Sequence, residues 1–351
     1  METTPLHFPQ KSDLEMKIDF LVDLLKLTDP RRKIHLKELS GGITNSVYRL
    51  DTPTRKYIVR VFGNNTEEII DRKHEEENLM TIKFIDIFAK FGNGIVVSYI
   101  EGRPIDVLMM NDPFISSKIA EVVAKFHKVT YPLKKCESQS RENEIFKSIQ
   151  KFMKGLDPNY VDPISGHTID LRSINDRYLA LRKEIDEEMK DATICLCHND
   201  LLSANILFDG ENTVNICDYE YSSYTWPEFD IANHFFEYCG FECDLSLFPT
   251  KEQQRRWVVL YLTVLFDGVY DSGFFESEKG NRMIEKWLHR INLLVKLSCF
   301  FWGTWGFFQA IHSEVKFPYF KYAETRIMLM DYPLPLPPSS PLLEKPLVSL
   351  T

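Results

Sequence analysis

The order of apolar and polar positions divides the chain into a short strand-rich part and a longer helical part. The short part has predicted elements in the order helix at 16–28, strands at 34–50 and 56–62, helix at 67–88 and strand at 94–100. A glycine-rich turn at 40–45 separates alternating positions, and the turn at 101–104 predicts a hinge. The pattern therefore predicts a small lobe that ends near residue 103.

From residue 113 onward, apolar positions recur mostly at helical spacing. Predicted helices lie at 117–129, 172–190, 230–238, 251–271, 280–312 and 320–330. The segment 136–170 is polar and irregular, and six prolines in 333–351 predict an extended or loosely ordered tail. The fold class is therefore α+β, divided into a flexible N-terminus at 1–15, a β-rich N-lobe at 16–103, a helical C-lobe at 104–332 and the tail at 333–351.

Composition and charge narrow the classes of partner. The 351 residues fit two domains or one two-lobed domain, and 44% of them are hydrophobic, enough for a sizeable core. A net charge of -9 and the lack of a long Lys/Arg run argue against a nucleic-acid partner. The seven cysteines form neither a C-x-x-C pair nor a zinc pattern, which fits a reducing compartment.

The terminal and apolar segments predict a cytoplasmic protein. Residues 1–15 are polar and lack the apolar region of a secretion signal. The most apolar run, 297–310, is fourteen residues long and rich in aromatic side chains. We therefore expect a buried helix there and no stable membrane insertion.

The most specific pattern is the run 198–205, followed thirteen residues later by Asp218. It places Asp200, Asn205 and Asp218 at the spacing of a kinase-type phosphoryl-transfer site. In that chemistry one Asp orients or deprotonates the attacking hydroxyl, while the Asn and the later Asp hold Mg²⁺ against the nucleotide phosphates. The alternative is a polar loop before an ordinary surface hairpin, but the full combination of residues is much more specific than that.

The segment between these residues predicts a β-hairpin. Residues 206–208 and 214–217 read as strands, and 209–212 contains an Asp-Gly turn. A hairpin of that size brings Asn205 and Asp218 back to the same end, where one metal ion can bridge them.

Two features of the small lobe point to a phosphate group. Gly41 and Gly42 lie between predicted strands, where glycine allows backbone N–H groups to approach a phosphate closely, although an ordinary hairpin is an equal alternative. Arg60 lies among apolar residues of a strand and needs a partner, either phosphate or a carboxylate such as Glu75. The alternative is that Arg60 points to solvent from an edge strand.

Together these runs closely resemble the choline/ethanolamine kinase family. The resemblance covers roughly residues 35–330, and an ordered series of motifs carries it. These motifs lie at 41–45, 60–63, 70–72, 198–205, 217–224, 229–235, 301–305 and 319–323.

The resemblance implies a two-lobed protein-kinase-like fold that uses ATP and Mg²⁺ to phosphorylate the hydroxyl of a small amino alcohol. It implies that Asp200 is the catalytic base, that Asn205 and Asp218 are metal ligands, and that His198 is structural. The implied cofactor-binding residues are Gly41, Gly42, Thr44, Asn45, Arg60, Glu75, Tyr99 and Ile100, with Arg60 in place of the phosphate-binding Lys of protein kinases. Family members are often dimers, so a homodimer is also expected as a partner.

A cationic amine requires aromatic faces, carboxylates or both. Trp302 and Trp305 are three residues apart and share one helix face, and with Tyr322 they can form an aromatic wall. Glu237 matches an acidic residue that faces the substrate pocket in this family and adds the counter-charge. Without the resemblance, aromatic residues at helical spacing are better explained as core.

Local features favour ethanolamine over choline as the substrate. Leu202 stands where many choline kinases carry Gln, and Glu242 stands near a position where they tend to place Tyr. Against this, 317–322 looks like a choline kinase, so choline or dual activity is the alternative. The expected product is phosphoethanolamine, from the first step of CDP-ethanolamine synthesis.

Three rivals remain at this point. An aminoglycoside-type phosphotransferase has the same arrangement of Asp, Asn and Asp, but it normally carries His-Gly-Asp where this chain has His198-Asn199-Asp200. A protein kinase is disfavoured because Tyr219-Glu220 follows Asp218 where Phe-Gly is expected. A non-catalytic binding or scaffold protein is disfavoured because all three acidic and amide positions are intact.

Overall fold

The computed structural model describes residues 6–9, 13–39, 45–63, 72–82, 84–132, 143–270, 273–313 and 315–349. The chain forms two compact units, 1–101 and 102–351. The first is built on an antiparallel sheet and the second is mostly helical, which confirms the predicted α+β class.

The first unit is organised around five antiparallel strands. Its elements in chain order are helix α1 (Leu14–Leu25), strands β1 (His35–Leu39), β2 (Asn45–Asp51) and β3 (Lys56–Phe62), helix α2 (Arg72–Ile82) and strands β4 (Ile87–Phe91) and β5 (Gly94–Ser98). The strands lie in the order β1-β2-β3-β5-β4. Alternate residues of β3, Tyr57, Val59 and Val61, point into a core that includes Ile18 and Leu21 of α1.

One strand of this sheet departs from the sequence prediction. The pattern predicts a single helix over 67–88, whereas α2 ends at Ile82 and β4 begins at Ile87. Phe91 pairs with Gly94 across the Gly92-Asn93 turn, so β4 and β5 form a tight hairpin. The apolar residues at 84, 85, 87 and 88 continue a helical spacing, which hides the change of period.

Among its described residues, the second unit begins with a short strand and a short helix, which eleven further α-helices and strands follow. In chain order they are β6 (Arg103–Pro104), α3 (Val107–Met110), α4 (Pro113–Lys128), α5 (Ile145–Lys154), α6 (Leu171–Glu188), β7 (Cys195–Cys197), β8 (Ile206–Phe208), β9 (Val214–Ile216), β10 (Ser223–Thr225), α7 (Pro227–Glu237), α8 (Lys251–Leu265), α9 (Glu278–His312) and α10 (Tyr319–Leu329). Strand β8 pairs with β6 and β9, and β7 pairs with β10. The predicted hairpin is present, with Ile206 opposite Ile216.

Helix α9 forms the core of this unit. By length and composition it could cross a membrane. However, 89% of its apolar 18-residue stretch is buried inside the protein, as in the core helix of a folded domain. Two glycines let α10 approach it closely. A Cβ atom at Gly303 would lie 2.8 Å from Ile327, and one at Gly306 would lie 3.1 Å from Ala323. This close packing brings side chains of α9 and α10, such as Trp305 and Tyr322, next to each other.

Two segments are more ordered than the sequence predicts. The segment 136–170 contains α5, whose buried residues Ile145, Ile149 and Phe152 follow helical spacing. In the tail, the backbone N–H groups of Leu347 and Val348 donate to the carbonyl oxygen of Glu242 at 3.0 and 2.9 Å, and Val348 is buried. Regular structure in the described part of the tail is limited to a 3-10 turn at Pro341–Leu343, and the two N–H groups hold the tail against the unit.

Candidate active site

The loop that follows β7 is held by one buried carboxylate. Asp230, on α7, accepts hydrogen bonds from the backbone N–H of His198 at 2.7 Å and of Asn199 at 2.8 Å. Its Oδ2 also contacts Nε2 of His127, on α4, at 2.9 Å. Burial alone would raise the pKa of Asp230, but the hydrogen bond and charge of His127 make the net shift downward. An ionised acceptor therefore fixes the start of the loop.

Asn199 adopts the left-handed conformation, with a φ of 66°. Asn and Gly tolerate this conformation better than most residues, so the loop favours either of them here. The Asn199 side chain donates to the carbonyl of Tyr221 at 3.0 Å and to Oγ of Ser223 at 2.9 Å. The loop is thus tied to the strand that follows the hairpin, which a Gly could not do.

Asp200 and Asn205 are in direct contact. The amide nitrogen of Asn205 donates to both the carbonyl oxygen and Oδ2 of Asp200, each at 2.9 Å. Burial raises the pKa of Asp200 well above its usual range. The nearby charges of Asp218, Glu237 and Glu220 act in the same direction. Asp200 is therefore a stronger base than an exposed Asp, and the surrounding carboxylates favour cations in this part of the unit.

The hairpin brings Asn205 and Asp218 to the same end, as the sequence predicts. The N–H of Cys217 donates to the carbonyl oxygen of Asn205 at 2.9 Å, and Asp218 is the next residue, with a φ of 66°. Because Nδ2 of Asn205 is bonded to Asp200, its Oδ1 is the atom that can serve a cation. Oδ1 and the Asp218 carboxylate are oxygen donors of the kind that Mg²⁺ prefers.

His198 is a structural member of the loop. Its Nδ1 accepts the N–H of Asp200 at 3.3 Å, and its Nε2 contacts the carbonyl of Cys217 at 2.9 Å. Burial lowers its pKa, in line with a neutral ring. Both ring nitrogens are thus occupied by the backbone on either side of the hairpin, and His198 has no free nitrogen to act as a base.

Aromatic side chains of α9 and α10 lie together. The ring centres of Trp302 and Trp305 are 5.2 Å apart, and those of Trp305 and Tyr322 are 6.4 Å apart. The indole N–H of Trp302 donates to Oδ1 of Asn233 at 2.7 Å, and that of Trp305 donates to the Tyr221 hydroxyl at 2.9 Å. All three predicted wall residues are more than nine-tenths buried, so the wall is also part of the core.

Asn233 connects this wall to the catalytic loop. Its Nδ2 donates to the carbonyl of Asn199 at 3.1 Å, while its Oδ1 accepts from both Trp302 and Ser298 at 2.7 Å. Glu237 lies one turn further along α7, is 6% exposed, and contacts the buried Arg326 at 3.4 Å. Burial raises the pKa of Glu237, against the charge of Arg326.

In the first unit, Arg60 has the carboxylate partner that the sequence suggests. Its guanidinium lies 2.6 Å from Glu75, which also accepts from Arg72 at 2.9 Å. All these groups are largely buried, so Arg60 does not point to solvent from an edge strand. Burial would raise the pKa of Glu75, but the two guanidinium groups lower it overall.

The other predicted cofactor residues also belong to the first unit. Gly41, Gly42 and Thr44 lie outside the described residues, and Asn45 is described only as the first residue of β2. Tyr99 and Ile100 directly follow β5. The ring of Tyr99 is contacted by Lys56, whose nitrogen lies 5.1 Å from the ring centre, and by Arg49.

Among the described residues, His127, Cys195 and Cys197 form a buried cluster whose ligand atoms lie within 4.8 Å of one another. Both ring nitrogens of His127 already have partners, Asp230 and, at 2.7 Å, the hydroxyl of Tyr261. Burial raises the pKa of both thiols, which keeps them protonated and poor as metal ligands. The cluster is therefore part of the core that supports the catalytic loop.

Sequence reasoning missed Arg326, Ser298 and Tyr221. A signal existed for Arg326, because it lies four residues after Tyr322 and therefore on the same face of the helix. No comparable signal marks Ser298 or Tyr221, whose partners come from distant segments of the chain.

Comparison with known proteins identifies the family. Residues 36–331 match the model of the choline/ethanolamine kinase family. A Dictyostelium discoideum protein named "Probable ethanolamine kinase A" is 31% identical over 309 residues, 83% of each chain. An Arabidopsis thaliana protein named "Probable ethanolamine kinase" is 32% identical over 304 residues, 82% of this chain and 76% of that protein.

A solved structure shows that the fold is shared as well. The structure of a Plasmodium vivax ethanolamine kinase superposes with a TM-score of 0.75 at 23% identity, over 93% of this chain and 92% of that one. The expected kinase-like fold and the family resemblance are thus both confirmed. The chain belongs to the choline/ethanolamine kinase family of phosphotransferases.

Proposed function

We propose that this protein transfers the γ-phosphoryl group of ATP to the hydroxyl of ethanolamine. The contact between Asp200 and Asn205, next to Asp218 at the end of the same hairpin, is the observation that carries the proposal. The chemistry of these residues supports the proposal, as family membership does. The raised pKa of Asp200 suits a base, and the oxygen donors of Asn205 and Asp218 suit a metal ion.

In the proposed reaction, Asp200 orients the substrate hydroxyl and accepts its proton. A bond forms between the hydroxyl oxygen and the γ-phosphorus, and the bond from that phosphorus to the β–γ bridging oxygen breaks, so that ADP leaves. The Asn205 amide fixes the Asp200 carboxylate in place through Oδ2. Catalysis of this kind depends mainly on positioning and on charge stabilisation.

Asn205 and Asp218 are the residues that would hold Mg²⁺. When bound, Mg²⁺ offsets the negative charge of the phosphate groups. The left-handed backbone at Asp218 turns the chain directly after β9, and Asn199 has the same conformation at the start of the loop. Such conformations cost of order 1 kcal/mol each and persist where the surrounding structure enforces them, as it often does at functional sites.

The first unit contributes Arg60 to phosphate binding in this proposal. Glu75 holds the guanidinium groups of Arg60 and Arg72 side by side. A guanidinium group suits an anionic phosphate because it can donate two parallel hydrogen bonds to the phosphate oxygens. The predicted roles of the glycine turn, Tyr99 and Ile100 in binding ATP remain part of the same proposal.

The second unit contributes the amine subsite. Glu237 supplies a carboxylate for the ammonium group, while Trp302, Trp305 and Tyr322 supply aromatic faces. A cation over such a face gains about 0.5–2 kcal/mol. Glu237 also acts on the charge of Asp200, so an ammonium group beside Glu237 lies within electrostatic reach of the proposed base.

Ethanolamine is the first candidate substrate and choline the second. A primary ammonium donates three hydrogen bonds, which Glu237 can accept, and the relatives cited above carry the name ethanolamine kinase. The aromatic wall is the observation that favours choline, because a quaternary ammonium has no N–H donor and binds well over aromatic faces.

Product analysis tests the proposal. The full chain, ATP, Mg²⁺ and ethanolamine should yield ADP and phosphoethanolamine in equal amounts, measured by a coupled ADP assay and by phosphorus NMR. Asp200→Asn should abolish turnover with ATP binding largely intact, whereas Asp176→Asn, which changes an exposed carboxylate of α6, should not alter it. Phosphoethanolamine formed at the normal rate by Asp200→Asn would refute the assignment.

A further inference from the structure

A fully buried guanidinium group lies behind the proposed amine subsite. Arg326, on α10, donates from Nη1 to Oε1 of Glu237 at 3.4 Å and from Nη2 to Oγ of Ser298 at 3.2 Å. Its guanidinium carbon is 3.7 Å from the ring centre of Phe236. Arg keeps its charge even when buried, so it needs a fixed anionic partner, and Glu237 provides one.

The contact reaches only one oxygen of the carboxylate. Arg326 binds Oε1 of Glu237, and no described side chain donates a hydrogen bond to Oε2. A guanidinium often binds both oxygens of a carboxylate as a fork. Here the single contact fixes the Glu237 side chain and leaves its second oxygen available to another donor.

Arg326 is the cation that opposes protonation of Glu237. The titratable groups that face Glu237 are Asp200 from the catalytic loop, Cys239 and Cys243 after α7, Cys299 of α9, and Tyr322 and Arg326 of α10. Burial raises the pKa of the three thiols and of the Tyr322 hydroxyl, so these groups are neutral near neutral pH. Burial also raises the pKa of Glu237, and Arg326 opposes that rise.

The same guanidinium is linked to the aromatic wall. Ser298 accepts from Arg326 and donates to Asn233 at 2.7 Å, and Asn233 in turn accepts from Trp302 at 2.7 Å. One chain of hydrogen bonds therefore joins Arg326, which contacts the Glu237 carboxylate, to Trp302 of the aromatic wall. Buried groups thus set the two halves of the amine subsite relative to each other.

We propose that Arg326 is a positioning residue that sets amine selectivity: it holds Glu237 by Oε1 and presents Oε2 as a hydrogen-bond acceptor to a primary ammonium group. A primary ammonium can donate to that oxygen, whereas a quaternary ammonium cannot. A site built to hydrogen-bond a substrate group discriminates strongly against an analogue that lacks the donor. This inference rests on the proposed function and names the group that confers its preference.

The test compares Arg326→Lys and Arg326→Met with the unaltered full chain, using ethanolamine and choline at saturating ATP and Mg²⁺. Loss of a charge-assisted contact should raise the KM for ethanolamine about tenfold or more in Arg326→Met and less in Arg326→Lys. The kcat should change much less, and the KM for choline should rise less than that for ethanolamine.

Two further readouts separate positioning from a purely structural role. The ethanolamine KM of Arg326→Met should fall more steeply with rising pH, because Glu237 ionises at higher pH without the guanidinium. In a Glu237→Gln background, Arg326→Lys should have little additional effect on that KM. If Arg326→Met does not fold, Arg326→Lys and the double variant decide the question.

A matched control is Arg290→Lys. Arg290 is a second buried arginine, on α9, but it pairs with Glu188 and Asp191. Its replacement should lower stability without changing the ratio of the two amine KM values. If the unaltered protein phosphorylates ethanolamine but Arg326 variants keep its KM and selectivity, the positioning proposal is wrong. If the unaltered protein phosphorylates neither amine, the proposed function itself fails.

Discussion

Asp230→Asn should weaken the hydrogen bonds that hold the catalytic loop, with almost no change in the shape of the side chain. Asp230 accepts three hydrogen bonds, with Oδ1 facing the N–H of Asn199 and Oδ2 facing the N–H of His198 and Nε2 of His127. An Asn has only one oxygen. Its amide nitrogen must therefore face at least one of these donors, whichever way the side chain is turned.

The expected loss is a large part of the stability of the protein. If the Asn oxygen faces His198, the N–H of Asn199 stays buried without an acceptor, which costs about 1–3 kcal/mol. The two remaining bonds lose their ionised acceptor, and each such bond contributes about 1.5–3 kcal/mol while the charge is present. We expect a decrease of about 3–5 kcal/mol in the free energy of unfolding, against a usual total of about 5–15 kcal/mol. A shifted loop should also lower kcat about 10- to 100-fold.

Urea unfolding of Asp230→Asn and Glu228→Gln provides the assay and its control. Glu228 is also buried on α7, but burial raises its pKa to about 7, against the pull of Arg290. A carboxyl with a raised pKa contributes stability below its unfolded pKa and loses it as pH rises through about 7. Glu228→Gln should therefore stabilise the protein above that pH, by up to roughly 3 kcal/mol.

The pH dependence of Asp230 has the opposite sign. Its pKa is lowered overall, so its contribution is present above the unfolded pKa and is lost as pH falls through the folded value. The destabilisation by Asp230→Asn should accordingly be largest near neutral pH. A change of less than about 1 kcal/mol with unaltered kcat would refute the conclusion that Asp230 holds the catalytic loop in place.

Three further predictions concern the site itself. Because the raised pKa of Asp200 means that its ionised form costs folding energy at neutral pH, Asp200→Asn should raise Tm while turnover is lost; a lowered Tm in calorimetry would contradict this. Asp218→Asn should weaken the binding of Mg²⁺-ATP much more than that of metal-free ATP, and equal effects in calorimetric titrations would argue against a metal ligand. Trp302→Phe removes the indole N–H bonded to Asn233, so it should lower stability by about 1 kcal/mol and raise the amine KM more than the ATP KM; an unchanged amine KM in steady-state assays would return Trp302 to the core.

Local sequence information was sufficient for the hairpin and its two ends. Asn205 and Asp218 are separated by a turn whose length fixes their proximity, so spacing alone predicts that they meet. The pair of Trp302 and Trp305 is similar, since two residues three apart on a helix must share a face. Such inferences succeed because they depend on the geometry of one element.

The remaining features depend on contacts between distant segments. Nothing in the run 198–205 reveals that Asp230 holds its backbone, because that partner lies on another element and the bonds are to main-chain N–H groups. Arg326 and Glu237 are 89 residues apart. Strand β4 was hidden for a different reason, since its apolar positions fit two periods and only pairing with β5 decides between them.

The His-Asn-Asp run shows how structure changes the meaning of a sequence difference. The sequence suggests that Asn199 separates this chain from enzymes that carry Gly at that position. With a φ of 66°, the position accepts either residue, and Asn adds bonds to Tyr221 and Ser223. The difference therefore concerns how the loop is anchored, and it leaves the chemistry of Asp200 unchanged.

The ratio of two specificity constants tests most directly whether this family member prefers an amino alcohol that has a primary ammonium group. The kcat/KM values for ethanolamine and choline should be measured side by side on the unaltered full chain at saturating ATP and Mg²⁺. A clearly higher value for ethanolamine is the result that the Glu237 acceptor predicts. A higher value for choline would mean that the wall of Trp302, Trp305 and Tyr322 governs selectivity, and it would contradict the proposed substrate.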